Sequence, residues 1–310
     1  MTGPGAGGVV PAAGAVLRLR GRELGTDHPV VMAVVNRTTD SFYAAARFGE
    51  REAFDAAVRA VHEGADIVDL GGVRAGRGAD VDVTEELRRV VPLVERLRAE
   101  VPDLLISVDT WRSEVARAAT QAGADLVNDT WAGHDPDLVE VAAEAGVGIV
   151  CSHTGGAVPR TDPLRVAYPA HPGSADPRDG VVDDVLATLT AAAARAVALG
   201  MDPASVIVDP THDFGKNTWH SLHLVRRTAA LTALGHPVLM ALSRKDFIGE
   251  TLGLPADERL EGTMAATAVA AWLGARVFRT HDVLATRRTV DMVAAIRGDL
   301  APRTVVRGLV

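Results

Sequence analysis

Eight short apolar runs recur along the chain, and most end in polar residues suited to holding a ligand. Val30–Val35 ends at Asn36, Ala65–Leu70 at Gly71 and Gly72, Leu104–Val108 at Asp109, and Ala124–Val127 at Asn128 and Asp129. Val147–Val150 leads to His153, Ser205–Val208 to Asp209, Pro237–Leu242 to Ser243, Arg244 and Lys245, and Ala275–Phe278 to Arg279 and His281. Runs this short and this continuous read as strands buried on both faces, the pattern of a parallel sheet covered by helices. Between them lie stretches with apolar residues at three-to-four spacing, roughly 52–63, 84–99, 113–122, 136–145, 180–199, 218–233, 257–272 and 284–297, which read as amphipathic helices. Gly64-Ala65, Gly123-Ala124 and Gly274-Ala275 stand just before strands, where a glycine suits a helix C-terminus turning into the next strand.

Eight strand–helix units predict an α/β fold of the (β/α)8 TIM-barrel type, with a doubly wound open sheet as the rival. Either architecture places its active site at the carboxyl ends of the strands, where these polar residues fall. Ahead of the first unit, residues 15–25 alternate Arg with Leu and Val around Gly21, which predicts an N-terminal β-hairpin placed to plug the barrel bottom. Residues 1–14, rich in Gly, Ala and Pro, read as a flexible tail, and 15–310 as one domain.

Composition narrows the function. A formal charge of −8 argues against a nucleic-acid surface or a polybasic membrane patch. Cys151 is the only cysteine, so neither an intramolecular disulfide nor a cysteine-based metal cage is available. No basic, apolar leader opens the chain, and Gly262–Gly274 is too short to span a bilayer, so a cytoplasmic protein is expected.

Six motifs follow the strands in order: Asn36-Arg37-Thr38-Thr39-Asp40-Ser41-Phe42, Ser107-Val108-Asp109-Thr110, Asn128-Asp129, Asp209-Pro210 with Phe214-Gly215-Lys216, Ser243-Arg244-Lys245, and Arg279-Thr280-His281-Asp282. From about residue 30 to 300 the chain resembles the dihydropteroate synthase family, pterin-binding TIM barrels that transfer an alkyl group in the folate pathway. The family reaction joins 6-hydroxymethyl-dihydropterin pyrophosphate to p-aminobenzoate and releases pyrophosphate. A pterin edge presents an amino group, a ring N–H and a carbonyl side by side, and one carboxylate accepts both N–H bonds. Asp209 is the candidate for that role, with Asn128 and Asp109 completing the edge. Lys245 is the candidate donor to the carbonyl side, and the plane of Arg279 is suited to stacking on the ring. The resemblance adds Phe214 to the pterin set. It also implies that Asn36, Arg279 and His281 hold the pyrophosphate, Asn36 through Mg²⁺, and that the protein is a homodimer. Asn36, Lys245, Arg279 and His281 are therefore the expected catalytic residues. The lesser alternatives are that Asp109 caps the next helix and that His281 makes a plain structural hydrogen bond. His153 aligns only loosely with a family histidine.

The chain departs from the family pattern mainly on the p-aminobenzoate side. Thr39 replaces Pro, and Tyr43-Ala44-Ala45-Ala46 replaces Ser-Asp-Gly-Gly. Gly71-Gly72-Val73-Arg74-Ala75-Gly76-Arg77-Gly78 replaces Gly-Gly-Glu-Ser-Thr-Arg-Pro-Gly, leaving Arg74 and Arg77 as the available arginines. Asp246 stands where Ser or Arg is usual, and either turns away or pairs with Arg244. Thr211 and Asp213 replace two glycines, and Cys151-Ser152-His153-Thr154 only partly echoes Met-His-Met. The retained pterin set predicts pterin binding, and the altered loops argue against efficient condensation with p-aminobenzoate. Three readings stand: a working synthase, a divergent non-catalytic pterin-binding paralogue, and a methyltetrahydrofolate-type methyltransferase barrel. The pyrophosphate group of residues counts against the third.

Overall fold

In the computed structural model, residues 15–37, 49–76, 78, 80–161, 166–174 and 176–308 are described; the tail, the segment containing Thr38–Ala46, and Arg77 lie outside them. Strands β1 (Leu17–Leu19) and β2 (Arg22–Leu24) form an antiparallel hairpin with Leu17 opposite Leu24. Its turn, Arg20-Gly21, has φ of 49° and 70°, the geometry whose twist matches the flanking strands.

Eight parallel strands follow: β3 (Val30–Asn36), β4 (Ile67–Gly71), β5 (Leu105–Asp109), β6 (Leu126–Asp129), β7 (Gly148–Ser152), β8 (Val206–Asp209), β9 (Leu239–Ala241) and β10 (Val277–Thr280). Their order is β8-β7-β6-β5-β4-β3-β10-β9. A parallel bridge between Val208 and Val238, with Val208 N–H donating to Pro237 O at 2.9 Å, joins the two ends. That closure decides for the barrel over the open sheet. The covering helices are α1 (Glu50–His62), α2 (Val83–Glu100), α3 (Ser113–Ala122), α4 (Leu138–Ala145), α5 (Gly180–Ala198), α6 (Thr218–Arg226), α7 (Thr228–Thr232), α8 (Asp246–Leu252), α9 (Leu260–Trp272) and α10 (Val283–Arg297).

Two details differ from the sequence reading. The expected helix over 218–233 is two, α6 and α7, broken at Arg227; the buried Thr228 hydroxyl donates back to Val225 O at 2.8 Å, a bond that competes with the helical ladder. Helix α8 was not anticipated, because seven residues are too few to show a period; Phe247, Ile248 and Gly249 bury its inner side and Gly253, at φ 69°, ends it. The Gly-Ala pairs behave as expected, with Gly64, Gly123 and Gly274 at φ 101°, 112° and 103°.

Strand alternation sorts the side chains. Val31, Ala33, Val68, Ile106 and Val127 face outward into the helix-covered core. Val30, Met32, Ile67, Leu105, Leu126, Val150, Ile207, Leu239 and Val277 face inward and share one cluster with Leu17 and Leu19 of the hairpin. The hairpin therefore plugs the barrel bottom. Gly148 makes room for it: a Cβ there would lie 2.5 Å from Leu19 Cδ2 and 2.9 Å from Ser205 O. One step toward the carboxyl end, the inward positions of β4, β5, β6, β7, β8 and β10 turn polar, at Asp69, Ser107, Asn128, Ser152, Asp209 and Arg279.

Candidate active site

The inward polar layer is organised around Asp69, a residue the sequence reading left inside an apolar run. Asp69 has no solvent exposure. Its carboxylate accepts from Ser107 Oγ at 2.6 Å, Asn128 Nδ2 at 3.1 Å and Arg279 Nε at 2.6 Å. Arg279 Nη2 also donates to Asp109 Oδ2 at 2.7 Å, and Thr130 Oγ1 donates to Asp109 Oδ1 at 2.8 Å. One guanidinium thus bridges two carboxylates on neighbouring strands, the fork geometry that arginine favours. The signal for Asp69 was present: a carboxylate flanked by Val68 and Leu70, two positions inward of the strand end, must face the lumen and find a partner.

Asp109 and Asp209 complete the acidic rim. Burial pushes the Asp109 carboxyl up to about 6 against the pull of Arg279, with Asp69 adding to the rise. Burial also raises Asp209, opposed first by Lys245. Asp209 Oδ1 accepts from Thr211 N–H at 2.7 Å, leaving its other oxygen for a ligand. Asp109 does not cap the next helix: the residue before α3 is Arg112, and Ser113 N–H donates to Asp135 Oδ2 at 2.7 Å.

Lys245 and Phe214 form the opposite wall. The Lys245 ammonium donates to His212 O and lies 4.9 Å from the Phe214 ring centre. Phe214 packs edge-on against Trp131 at 5.1 Å, and Trp131 against Trp111 at 6.5 Å, so an aromatic row crosses the barrel mouth. The sequence reading missed both tryptophans, since a lone Trp in a loop carries no periodic signal. Lys216, buried, braces the loop after β8 by donating to His153 O, Thr211 O and Phe214 O at 2.8, 3.1 and 2.9 Å.

Asn36 ends β3, and its Oδ1 lies so close to Gly71 that a Cβ there would be 2.5 Å away. His281 N–H donates to Ser243 Oγ at 3.2 Å; burial, reinforced by Arg279, pulls its imidazole down to about 4, so it is neutral at physiological pH. His153 stands apart, its Nε2 bonded to Asp184 Oδ1 on α5 at 2.7 Å.

The altered loop positions have specific outcomes. Thr211 and Asp213 keep left-handed backbone, at φ 50° and 72°, where the family pattern has glycine. The Asp213 carboxylate accepts from Asp246 N–H at 2.7 Å and Phe247 N–H at 3.3 and 3.4 Å, covering the start of α8. Asp246 does not pair with Arg244. Its carboxylate turns outward to Arg259 at 2.8 Å with 61% of the side chain exposed, and Arg244 instead forks onto Asp282 at 2.9 and 2.8 Å. Arg74 is part-buried beside Gly76, whose carbonyl accepts from Arg160 Nε at 3.3 Å.

Among the described residues, no group of three or more His, Cys, Asp or Glu is arranged to hold a metal ion. The one amide oxygen of Asn36 fits an ion that keeps most of its waters and arrives with phosphate oxygens.

The pterin binding enzyme family matches residues 32–281. The inactive dihydropteroate synthase 2 of Mycobacterium leprae is 59% identical over 292 residues, 94% of this chain and 98% of that protein. The dihydropteroate synthase of Bacillus subtilis is 36% identical over 270 residues, 86% of this chain and 88% of that protein. The Yersinia pestis dihydropteroate synthase, solved with a sulfonamide drug complex, superposes with a TM-score of 0.80 at 32% identity, covering 91% of this chain and 99% of that one. With its acid–amide–arginine layer at the carboxyl ends of a closed barrel, the chain belongs to the pterin-binding dihydropteroate synthase family.

Proposed function

We propose that this protein binds a reduced pterin, with 6-hydroxymethyl-dihydropterin pyrophosphate as its cognate ligand, and that it does not condense that ligand efficiently with p-aminobenzoate. Asp209, Asn128 and Asp109 meet the N–H edge of the pterin, Lys245 its carbonyl side, and Phe214 and Arg279 its faces. Asn36, Arg279 and His281 take the pyrophosphate, with Mg²⁺ held through Asn36. When bound, the ion would neutralise the departing phosphate charge. Arg279 supports this role, because its attachment to Asp69 and Asp109 fixes a positive charge beside the reacting end.

The observation that carries the second half is Asp213. A carboxylate stands on the first N–H groups of α8, beside Lys245, where p-aminobenzoate would bring its own carboxylate. At an effective dielectric of ~20, two such charges ~4 Å apart repel by about 4 kcal/mol, less where solvent screens them. The name of the Mycobacterium leprae relative, an inactive synthase, supports the same reading.

The test combines calorimetric titration with the pterin pyrophosphate and an assay for dihydropteroate in the presence of Mg²⁺ and p-aminobenzoate. Saturable binding without turnover is expected. Robust turnover would overturn the second half of the proposal, and absent binding the first. For assembly, our reading is a homodimer. Val269, Trp272, Met292 and Ile296 on α9 and α10 are 47%, 36%, 60% and 61% exposed, an apolar face suited to a second copy, which sedimentation equilibrium tests. The cellular location consistent with this role is the cytoplasm. Among the described residues no helix is long and apolar enough to cross a membrane.

A further inference from the structure

Beside the pterin-binding layer lies a second cavity of about 700 Å³, between the loop after β6, the loop after β7 and α5. Its walls include Trp131, His153, Gly155, Gly156, Tyr168 and Asp184, and none of Asp69, Asp109, Asn128, Asp209, Lys245 or Arg279. That volume lies within the ordinary range for small-molecule sites.

The walls are built. Asp129 holds the Trp131 loop by accepting from Trp131 N–H at 3.1 Å and Gly133 N–H at 2.6 Å. Tyr168 is pinned by its hydroxyl, which donates to Gly215 O at 2.7 Å. Gly155 and Gly156 have φ of 60° and 84°, a backbone that favours glycine, and a Cβ at Gly155 would collide with the Tyr168 hydroxyl.

The charged side chain reaching this cavity is the Asp184 carboxylate, positioned by His153. His153 is 1% exposed and neutral at physiological pH, since burial and then Lys216 pull it down to about 4. With Nε2 at 2.7 Å from the Asp184 carboxylate, the ring proton belongs on Nε2, which leaves Nδ1 a lone-pair acceptor. Nδ1 is fully buried, so the ring's part in this cavity is to hold the Asp184 carboxylate in place rather than to meet an occupant itself. Asp184 adds a half-exposed negative charge, and the described lining residues include no Lys or Arg. Tyr168, part-exposed, supplies the aromatic surface on which a flat ring or cation rests, and Trp131, 2% exposed, closes the wall beside it.

We infer that this cavity is a second ligand site, taking a flat nitrogen compound that presents N–H donors or a positive charge, of the aromatic amidine or aminated heterocycle class. Trp131 is shared between its wall and the aromatic row over the pterin layer, so an occupant would lie next to the bound pterin. The proposal does not rest on the pterin reading, because its acceptor groups are separate from the pterin set.

The test uses benzamidine as the probe, with benzoate as its anionic isostere, titrated into the full chain and followed by tryptophan fluorescence and NMR. Saturable benzamidine binding is expected, at least tenfold tighter than benzoate. Asp184→Asn should weaken benzamidine about tenfold, the ordinary scale of one charge-assisted contact. Trp131→Leu should abolish the fluorescence response and weaken binding. Pterin affinity is expected unchanged in Asp184→Asn, so failure of this site leaves the pterin proposal standing. Absent benzamidine binding, equal binding of benzoate, or an affinity indifferent to Asp184→Asn would each overturn the inference.

Discussion

A carboxylate with no exposure must be neutralised where it stands, and Asp69 is neutralised by Arg279 while Ser107 and Asn128 satisfy its remaining lone pairs. Asp69→Ala would leave Arg279 half-paired, and a loss of about 3–5 kcal/mol in unfolding free energy is expected from urea titration. Asp209 is not tied into that ion-pair network. Asp209→Ala should instead weaken pterin binding by about 2–5 kcal/mol in calorimetry; unchanged affinity would make Asp209 a structural residue. Histidine charge gives a pH prediction. His153 and His281 are held near 4, below the ordinary 6.5, so the unfolded chain takes up more protons than the folded one between those values. The histidine contribution should therefore fall as pH drops from about 6.5 toward 4, opposed by Asp109, which burial raises to about 6. It is read as the difference between the melting-temperature profiles of the protein and a His153→Gln variant, the variant losing less on the acid side. Bound pyrophosphate should shift His281 upward, visible in an NMR titration, with affinity for pyrophosphate rising as pH falls. The motif residues at this scale were legible as types in the sequence. Asp69 carried a local signal, a carboxylate inside an apolar run, but its partner Arg279 lies 210 residues away and no local pattern names it.

The loop after β8 departs from the family pattern at two glycine positions. Thr211 and Asp213 hold left-handed conformations that cost a side-chain-bearing residue about 1–2 kcal/mol each. The Asp213 carboxylate offsets part of this by satisfying N–H groups at the start of α8, a helix too short to announce itself by periodicity. Asp213→Gly should accordingly change stability by no more than about 1 kcal/mol, because relief of strain and loss of the cap oppose each other. It also removes a negative charge from the p-aminobenzoate side. Combined with Asp246→Ser, it should produce measurable p-aminobenzoate capture in an equilibrium binding assay with pterin pyrophosphate present. No capture by the double variant would transfer the block to the loops after β3 and β4. The sequence did not disclose that Asp246 faces Arg259, because that pairing depends on how α8 sits against the residues before α9.

At the scale of the molecule, the barrel is divided into an apolar floor sealed by the hairpin and a polar layer above it. Leu19 is 2% exposed in that floor. Leu19→Ala should destabilise the protein by about 2–5 kcal/mol in denaturant unfolding, with pterin affinity unchanged, because the plug and the ligand layer lie at opposite ends. The order of the strands and of the helices between them, apart from α8 and the break between α6 and α7, together with the hairpin and the polar strand ends, was determined by the sequence alone, since side-chain alternation and a three-to-four spacing are local properties. Which strand ends face one another was decided only by the tertiary structure. Arg279 and Asp69 are 210 residues apart and meet because the sheet closes on itself with β10 beside β3. The same closure sets Tyr168 against Gly215 and leaves the cavity around His153 and Asp184, whose walls come from separate loops and a helix. Local pattern specifies inside and outside, whereas register and closure specify neighbours, and the chemistry of this protein depends on neighbours.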